Sequence, residues 1–242
     1  MGHRKAIIMN RITLALATVL SLAFTQVTAQ DFNKGLEAAQ AGDFATALKE
    51  WQPLAEQGNA SAQYNLGLMY SNGDGVLKDN SEAFMWYRLS AEQGNASAQH
   101  NLGAMYNRGN GVLKDSSEAA KWYRLSAEQG IASAQNNLGI MHSNGYGVLK
   151  DYSEAAKWFR MSAKQGYDSA QRNLGAMYAN GEGVLQDNIT SHMWYNIASA
   201  NGNVEAGEYR DKRAALMTAD AIEKATAMAR ECMKSNYKKC GW

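Results

Sequence analysis

The chain has 242 residues, with 24 Lys and Arg against 23 Asp and Glu, four His and two Cys. Its charges are balanced and interspersed, which argues against a nucleic-acid or membrane-surface binder. Two cysteines with no nearby His or second Cys pair are a poor zinc site.

The first element is an export signal. His3, Arg4, Lys5 and Arg11 give a basic start, the run from Ile12 to Phe24 is apolar, and Val27-Thr28-Ala29 supplies the small residues that a signal peptidase reads. The apolar run is 13 residues long and contains Thr13, Thr18 and Ser21, short of the roughly 20 apolar residues a membrane-spanning helix needs. Cleavage after Ala29 is expected, and it leaves 21 basic and 23 acidic residues, a net charge of −2. An incomplete helical hairpin follows over residues 30–54. Phe32–Ala41 and Phe44–Glu56 read as its helices, Asp43 caps the second, and Pro53 is expected to bend or weaken the last turn.

A phrase of 36 residues then occurs four times without a gap, as Ala55–Ser90, Ala91–Ser126, Ala127–Ser162 and Ala163–Ala198. A fixed period of this length marks stacked supersecondary units. Taking the second copy, Ala98, Leu102, Met105 and Tyr106 fall at helical spacing, which predicts a first helix, A, over residues 95–107. Gly103 lies inside it and recurs as Gly67, Gly139 and Gly175. Glycine costs about 1 kcal/mol there relative to Ala, so close approach of a neighbouring helix is the expected compensation. A G-x-G turn follows (Gly109 and Gly111 in this copy), and helix A before it excludes a phosphate-binding loop, which needs a strand.

Asp79, Asp115 and Asp151 each precede a Glu by three residues, the spacing of a capping box at the start of a second helix, B. In the fourth copy Asp187 is followed by Thr190, so a weaker helix start is expected. Trp86, Trp122, Trp158 and Trp194 share one position on helix B and are expected to wedge between it and the next helix A. Asn59 and Asn95 match a glycosylation pattern but stand at helix starts, where Asn is more simply a cap. Residues 199–242 form a degenerate capping repeat, with helices expected over Val204–Met217 and Ala219–Met233. An even cysteine count in an exported chain reads as a disulfide, so Cys232 and Cys240 should pin the tail to the last helix.

The wording LGxMYxxGxGVxxD followed by A and WY resembles the Sel1-like repeat family over residues 55–198, with Leu77, Leu113, Leu149 and Leu185 where the family often has Pro. The resemblance implies an all-α fold, a right-handed α/α solenoid of stacked helix-turn-helix units related to tetratricopeptide arrays. It also implies a protein or peptide partner. Positions that differ between copies are the place to look for recognition, and on helix A these lie at i, i+4 and i+8: Tyr64, Leu68 and Asn72; His100, Ala104 and Arg108; Asn136, Ile140 and Asn144; Arg172, Ala176 and Asn180. By analogy with tetratricopeptide arrays that face lines a concave groove, and Asn and Arg there suit an extended peptide backbone or a carboxylate.

His100, His142 and His192 occupy three different repeat positions and make no metal set, and His142 replaces a packed Tyr. No Ser–His–Asp, Cys–His or His-Glu-x-x-His arrangement is present, and no cofactor is implied. The expectation is an exported interaction scaffold or adaptor, periplasmic or secreted, with regulation of a membrane sensor as one form of it. The competing reading is a cell-wall or β-lactam-acting enzyme like the cysteine-rich Sel1-like proteins. Those carry a Cys pair in each repeat, and this array has none.

Overall fold

The structure is a computed structural model that describes residues 32–241. The expected export signal lies outside the described residues. Those residues form twelve helices and no strand. They divide into two compact units, residues 32–93 and 94–241.

The first unit holds α1 (residues 32–40), α2 (Phe44–Glu56), α3 (Ala60–Asn72) and α4 (Asn80–Glu92). Asp43 caps α2 by accepting from the Thr46 N–H at 3.0 Å. Helix α2 continues through Pro53 to Glu56, and Gln57 N–H still reaches the Pro53 carbonyl. Its core joins Trp51 and Leu54 of α2 to Leu66 and Met69 of α3.

The second unit holds α5 (Ala96–Arg108), α6 (Ser116–Glu128), α7 (Ala132–Asn144), α8 (Tyr152–Ala163), α9 (Asp168–Asn180), α10 (Asn188–Ala200), α11 (Val204–Ala214) and α12 (Ala219–Lys234). Odd-numbered helices are the A helices. From α3 to α9 each packs on the B helix after it and, within the unit, on the B helix before it, whereas α11 and α12 both pack on α10.

The glycine inside helix A is compensated within its own hairpin. A Cβ on Gly139 would stand 2.7 Å from the Phe159 ring, and one on Gly175 would stand 2.7 Å from the Tyr195 ring. The same contact joins Gly67 to Tyr87 and Gly103 to Tyr123, and in the N-terminal hairpin Gly35 lies under Trp51. The aromatic ring of helix B therefore lies flat against a bare stretch of helix A.

That ring belongs to the residue after the repeated Trp, and successive helical residues point about 100° apart. The Trp consequently faces backwards: Trp158 of α8 packs in one cluster with residues of α6 and α7. Trp86 likewise joins the α2–α3 core. The expected wedge against the next helix A is thus corrected to one against the preceding hairpin. Burial is also uneven, since Trp194 is 1% exposed and Trp122 is only partly buried.

Buried glutamines join consecutive hairpins. Gln135 donates to the Ala127 carbonyl of the preceding B helix at 3.0 Å and accepts from Gln165 after its own B helix at 2.9 Å. Gln171 donates to Ala163 and accepts from Asn201 in the same way. Both ends of these amides are satisfied, which is what makes their burial affordable.

The caps are half of the expected box. Asp115 accepts from Ser117 N–H and Glu118 N–H. Its own N–H, which the Glu would take in a full box, is already held by the Tyr106 carbonyl at 3.0 Å. Glu118 turns instead to Lys121 at 2.5 Å. In the fourth copy Asp187 accepts from one backbone N–H, that of Ile189, where Asp115 accepts from two, and Thr190 donates its hydroxyl to Asp187 at 2.6 Å. Asn59 and Asn95 cap α3 and α5 as expected. The second glycine of the turn has a close neighbour: a Cβ on Gly147 would stand 2.1 Å from the Ser116 carbonyl oxygen. The leucines that follow it stay out of the core, with Leu113, Leu149 and Leu185 each about 90% exposed.

Cys232 and Cys240 form the expected disulfide, both buried against α8–α10 core residues. The pinned tail places Tyr237 over Gly166 and in hydrogen bonds with Asn201.

Candidate functional site

Within the second unit, the variable face of the A helices carries two cavities of similar build. The first, of about 350 Å³, is lined by Asn107, Ser116, Tyr123, Asn137, Ile140 and Tyr146, with Lys114 at its side. The second, of about 310 Å³, is lined by Ser143, Tyr152, Phe159, Asn173, Ala176 and Glu182, together with Ile140, Asn144 and Arg172. Residues 107, 116, 123, 137, 140 and 146 each reappear 36 positions later in the second cavity. The repeat thus builds equivalent pockets at two successive places, each with the glycine-seated ring as its floor and the middle residue of G-x-G at its rim.

The third place in this series is filled by the protein itself. Tyr209, which stands where Asn137 and Asn173 stand, stacks on Tyr195 at 5.5 Å. Lys212 lies over the Tyr209 ring, and Arg213 donates to Asn188 at 3.1 Å. Helix α11 therefore closes the face after two open pockets.

Asparagines tie neighbouring A helices along this face. Asn137 Nδ2 lies 3.3 Å from His100 Nε2, and Asn173 Nδ2 donates to Asn136 Oδ1 at 3.0 Å. His100 also lies against Tyr123, and burial with Arg108 nearby holds its imidazole below the ordinary histidine range. Burial pushes the Tyr123 phenol up to about 12, so the pocket floor is a neutral hydroxyl.

The predicted face residues separate into groups. Ile140 lines both pockets, while Asn144 and Arg172 line the second. Arg108 is exposed at the end of α5, and Asn180 is exposed with its amide 3.4 Å from Glu182. Asn136 is 4% exposed and already engaged, so it acts as a strut. Tyr64, Leu68 and Asn72 lie in the first unit, where Tyr64 packs on Tyr87 and Asn72 donates to Asp74.

Sequence reasoning missed the floor rings and the Asn137/Asn173 pair because they scarcely vary and read as packing. The rim was findable. The middle residue of G-x-G runs Asp74, Asn110, Tyr146, Glu182, and the residue after the capping Asp runs Asn80, Ser116, Tyr152, Asn188.

His142 is a packed histidine, with Nε2 3.3 Å from Arg124 Nη2, and Arg160 reaches the Tyr178 hydroxyl at the equivalent place. Among the described residues no group of three His, Cys, Asp or Glu is gathered as a metal site. No described helix is long and apolar enough to cross a membrane.

Repeated helical hairpins with a side-chain-lined face define an α-solenoid repeat protein. The sequence profile of the Sel1 repeat matches residues 60–95, 96–131, 132–167 and 168–203, and the chain belongs to the Sel1 repeat family. The chain is 33% identical to a protective antigen of uropathogenic Escherichia coli strains displaying an SLR fold, with a TM-score of 0.76 over 88% of this chain and 47% of that one. It therefore spans about half the length of that antigen. It is also 33% identical to a Sel1 repeat protein from Oxalobacter formigenes, with a TM-score of 0.74 over 86% of this chain and 83% of that one. No curated protein matches the chain. Sel1 repeat proteins generally mediate protein–protein interactions.

Proposed function

We propose that this chain is an exported interaction scaffold that holds an extended segment of a protein partner along the A-helix face. The observation that carries the reading is the pair of equivalent open pockets, followed by a third place stoppered by Tyr209 and Arg213. Pockets one repeat apart suit a ligand that is itself a chain, with one side chain lodged per hairpin. Amide groups at Asn107, Asn137, Asn144 and Asn173 give both donors and acceptors beside them. The buried Cys232–Cys240 bridge supports an oxidising compartment, and the basic, apolar and small-residue order of residues 1–29 supports export to a bacterial periplasm or beyond.

The test is quantitative capture from a periplasmic extract with wild type, Ile140→Arg and Leu125→Arg. Ile140 lines both pockets, whereas Leu125 is exposed on α6 away from them. The expected result is a set of partners lost with Ile140→Arg and kept with Leu125→Arg. Identical recovery by all three would refute the reading.

A further inference from the structure

We propose that Arg172 is a carboxylate-binding subsite in the second pocket and that Glu205 is its resident competitor. This rests on the groove reading above and specifies the chemistry of the segment bound there. In the two preceding repeats of the unit, the side chain at this position is satisfied by an asparagine of the next A helix: His100 meets Asn137, and Asn136 meets Asn173. For Arg172 the next A helix is α11, and its residue at the asparagine position is Tyr209, which stacks on Tyr195. Among the described residues the guanidinium has one long ion-pair contact, Nη1 to Glu205 Oε2 at 3.5 Å, and its Nε is buried with no hydrogen-bond partner.

A charge-assisted N–H···O bond normally runs about 2.7–2.9 Å, so the Glu205 contact is a loose one. The Glu205 side chain is 71% exposed, and little holds it against displacement. A guanidinium presents five donors in a planar fork that matches a carboxylate in two parallel bonds. The site is therefore a preformed arginine in a walled pocket, with an exposed acid near the place a ligand oxygen would take.

The surroundings narrow the ligand further. Ile140, Phe159, Ala176 and Met177 make one wall apolar, and Glu182 on the rim disfavours a second negative charge. The ligand that fits is one carboxylate with an apolar neighbour, carried on an extended peptide. It is either an acidic side chain or a chain-terminal carboxylate.

The probe is a randomised heptapeptide library, screened with free and with amidated C-termini against wild type, Ile140→Arg, Arg172→Gln and Glu205→Gln. The expected result is enrichment of peptides with a single acid beside an apolar residue. If a side chain is the ligand, both library forms yield them; if the terminus is the ligand, only the free form does. Arg172→Gln should weaken the enriched peptides tenfold or more and erase the acid preference. Glu205→Gln should tighten them several-fold, an effect that a merely structural Arg172–Glu205 pair would not produce. As a direct readout, N-acetyl-leucyl-glutamate amide should shift the Arg172 Nε–Hε resonance, and the glutamine analogue should not. Peptides that bind, are blocked by Ile140→Arg and show no acid preference would overturn this subsite and leave the groove reading standing. No binding from either library would overturn both.

Discussion

Replacing Gly139 by Ala would put a methyl carbon 2.7 Å from Cε1 and 2.8 Å from Cδ1 of Phe159. Phe159 is 3% exposed and belongs to the α8–α10 core, so its ring can give way only towards the second pocket, whose floor it forms. Overpacking of a filled core costs about 1–3 kcal/mol, and contacts this short belong in the upper half of that range. Against it stands a gain of about 1 kcal/mol from exchanging Gly for Ala inside a helix. The net expectation is a loss of about 1–2 kcal/mol, which lowers the melting temperature by roughly 2–8 °C for a chain of this size. Gly207 in α11 is the internal control, because a Cβ there meets only Ser199 Oγ at 3.3 Å. Gly207→Ala should leave stability unchanged or raise it by up to about 1 kcal/mol. Circular dichroism at 222 nm during thermal and urea unfolding reads all three proteins. Combining Gly139→Ala with Phe159→Leu should recover part of the loss. A Gly139→Ala protein as stable as wild type would refute the argument that the ring excludes a side chain at this position.

Other outcomes follow from burial and linkage. Trp194→Ala should cost about 3–5 kcal/mol in urea unfolding, and Trp122→Ala distinctly less, because only Trp194 is fully enclosed. Replacing Cys232 and Cys240 together by Ser should remove about 2–3 kcal/mol in the chain-entropy account and release the tail, read as faster amide exchange at Tyr237. His192 is held below the ordinary histidine range by burial and by Arg210, with Asp211 acting in the opposite sense. The unfolded chain therefore takes up this proton first as pH falls, and stability present above about pH 6.5 declines below it. His192→Gln should flatten that acid limb in melts taken between pH 7.5 and 5. A limb of unchanged slope would contradict the assignment.

Much of the fold was legible in the sequence because a repeat repeats its evidence. Four copies of the same Leu, Gly, Met and capping Asp gave helix A to within one residue, whereas outside the repeats the expected Val204–Met217 helix ends at Ala214. What the residues could not give was direction. The period placed Trp122 and Tyr123 side by side on helix B, but only the packing shows the tyrosine turned to Gly103 and the tryptophan position turned back to the preceding hairpin. The capping box failed for a related reason, since a local motif does not reveal that the Tyr106 carbonyl already holds the Asp115 N–H. The candidate site was half legible. Variation between copies pointed to Ile140, Asn144 and Arg172, yet it also named Asn136, whose variable amide is spent on Asn173. Invariance in turn hid Tyr123 and Phe159, which serve as core and as pocket floor at once.

On the proposed function, the A-helix face and no other receives the partner. Site-specific photocrosslinking in the producing cell is the sharpest test, with p-benzoyl-phenylalanine at Tyr146 on the pocket rim or at Leu125 on α6; both positions are exposed. Partner adducts are expected from position 146, disappearing with Ile140→Arg, and none from position 125. Adducts from position 125 alone would contradict it.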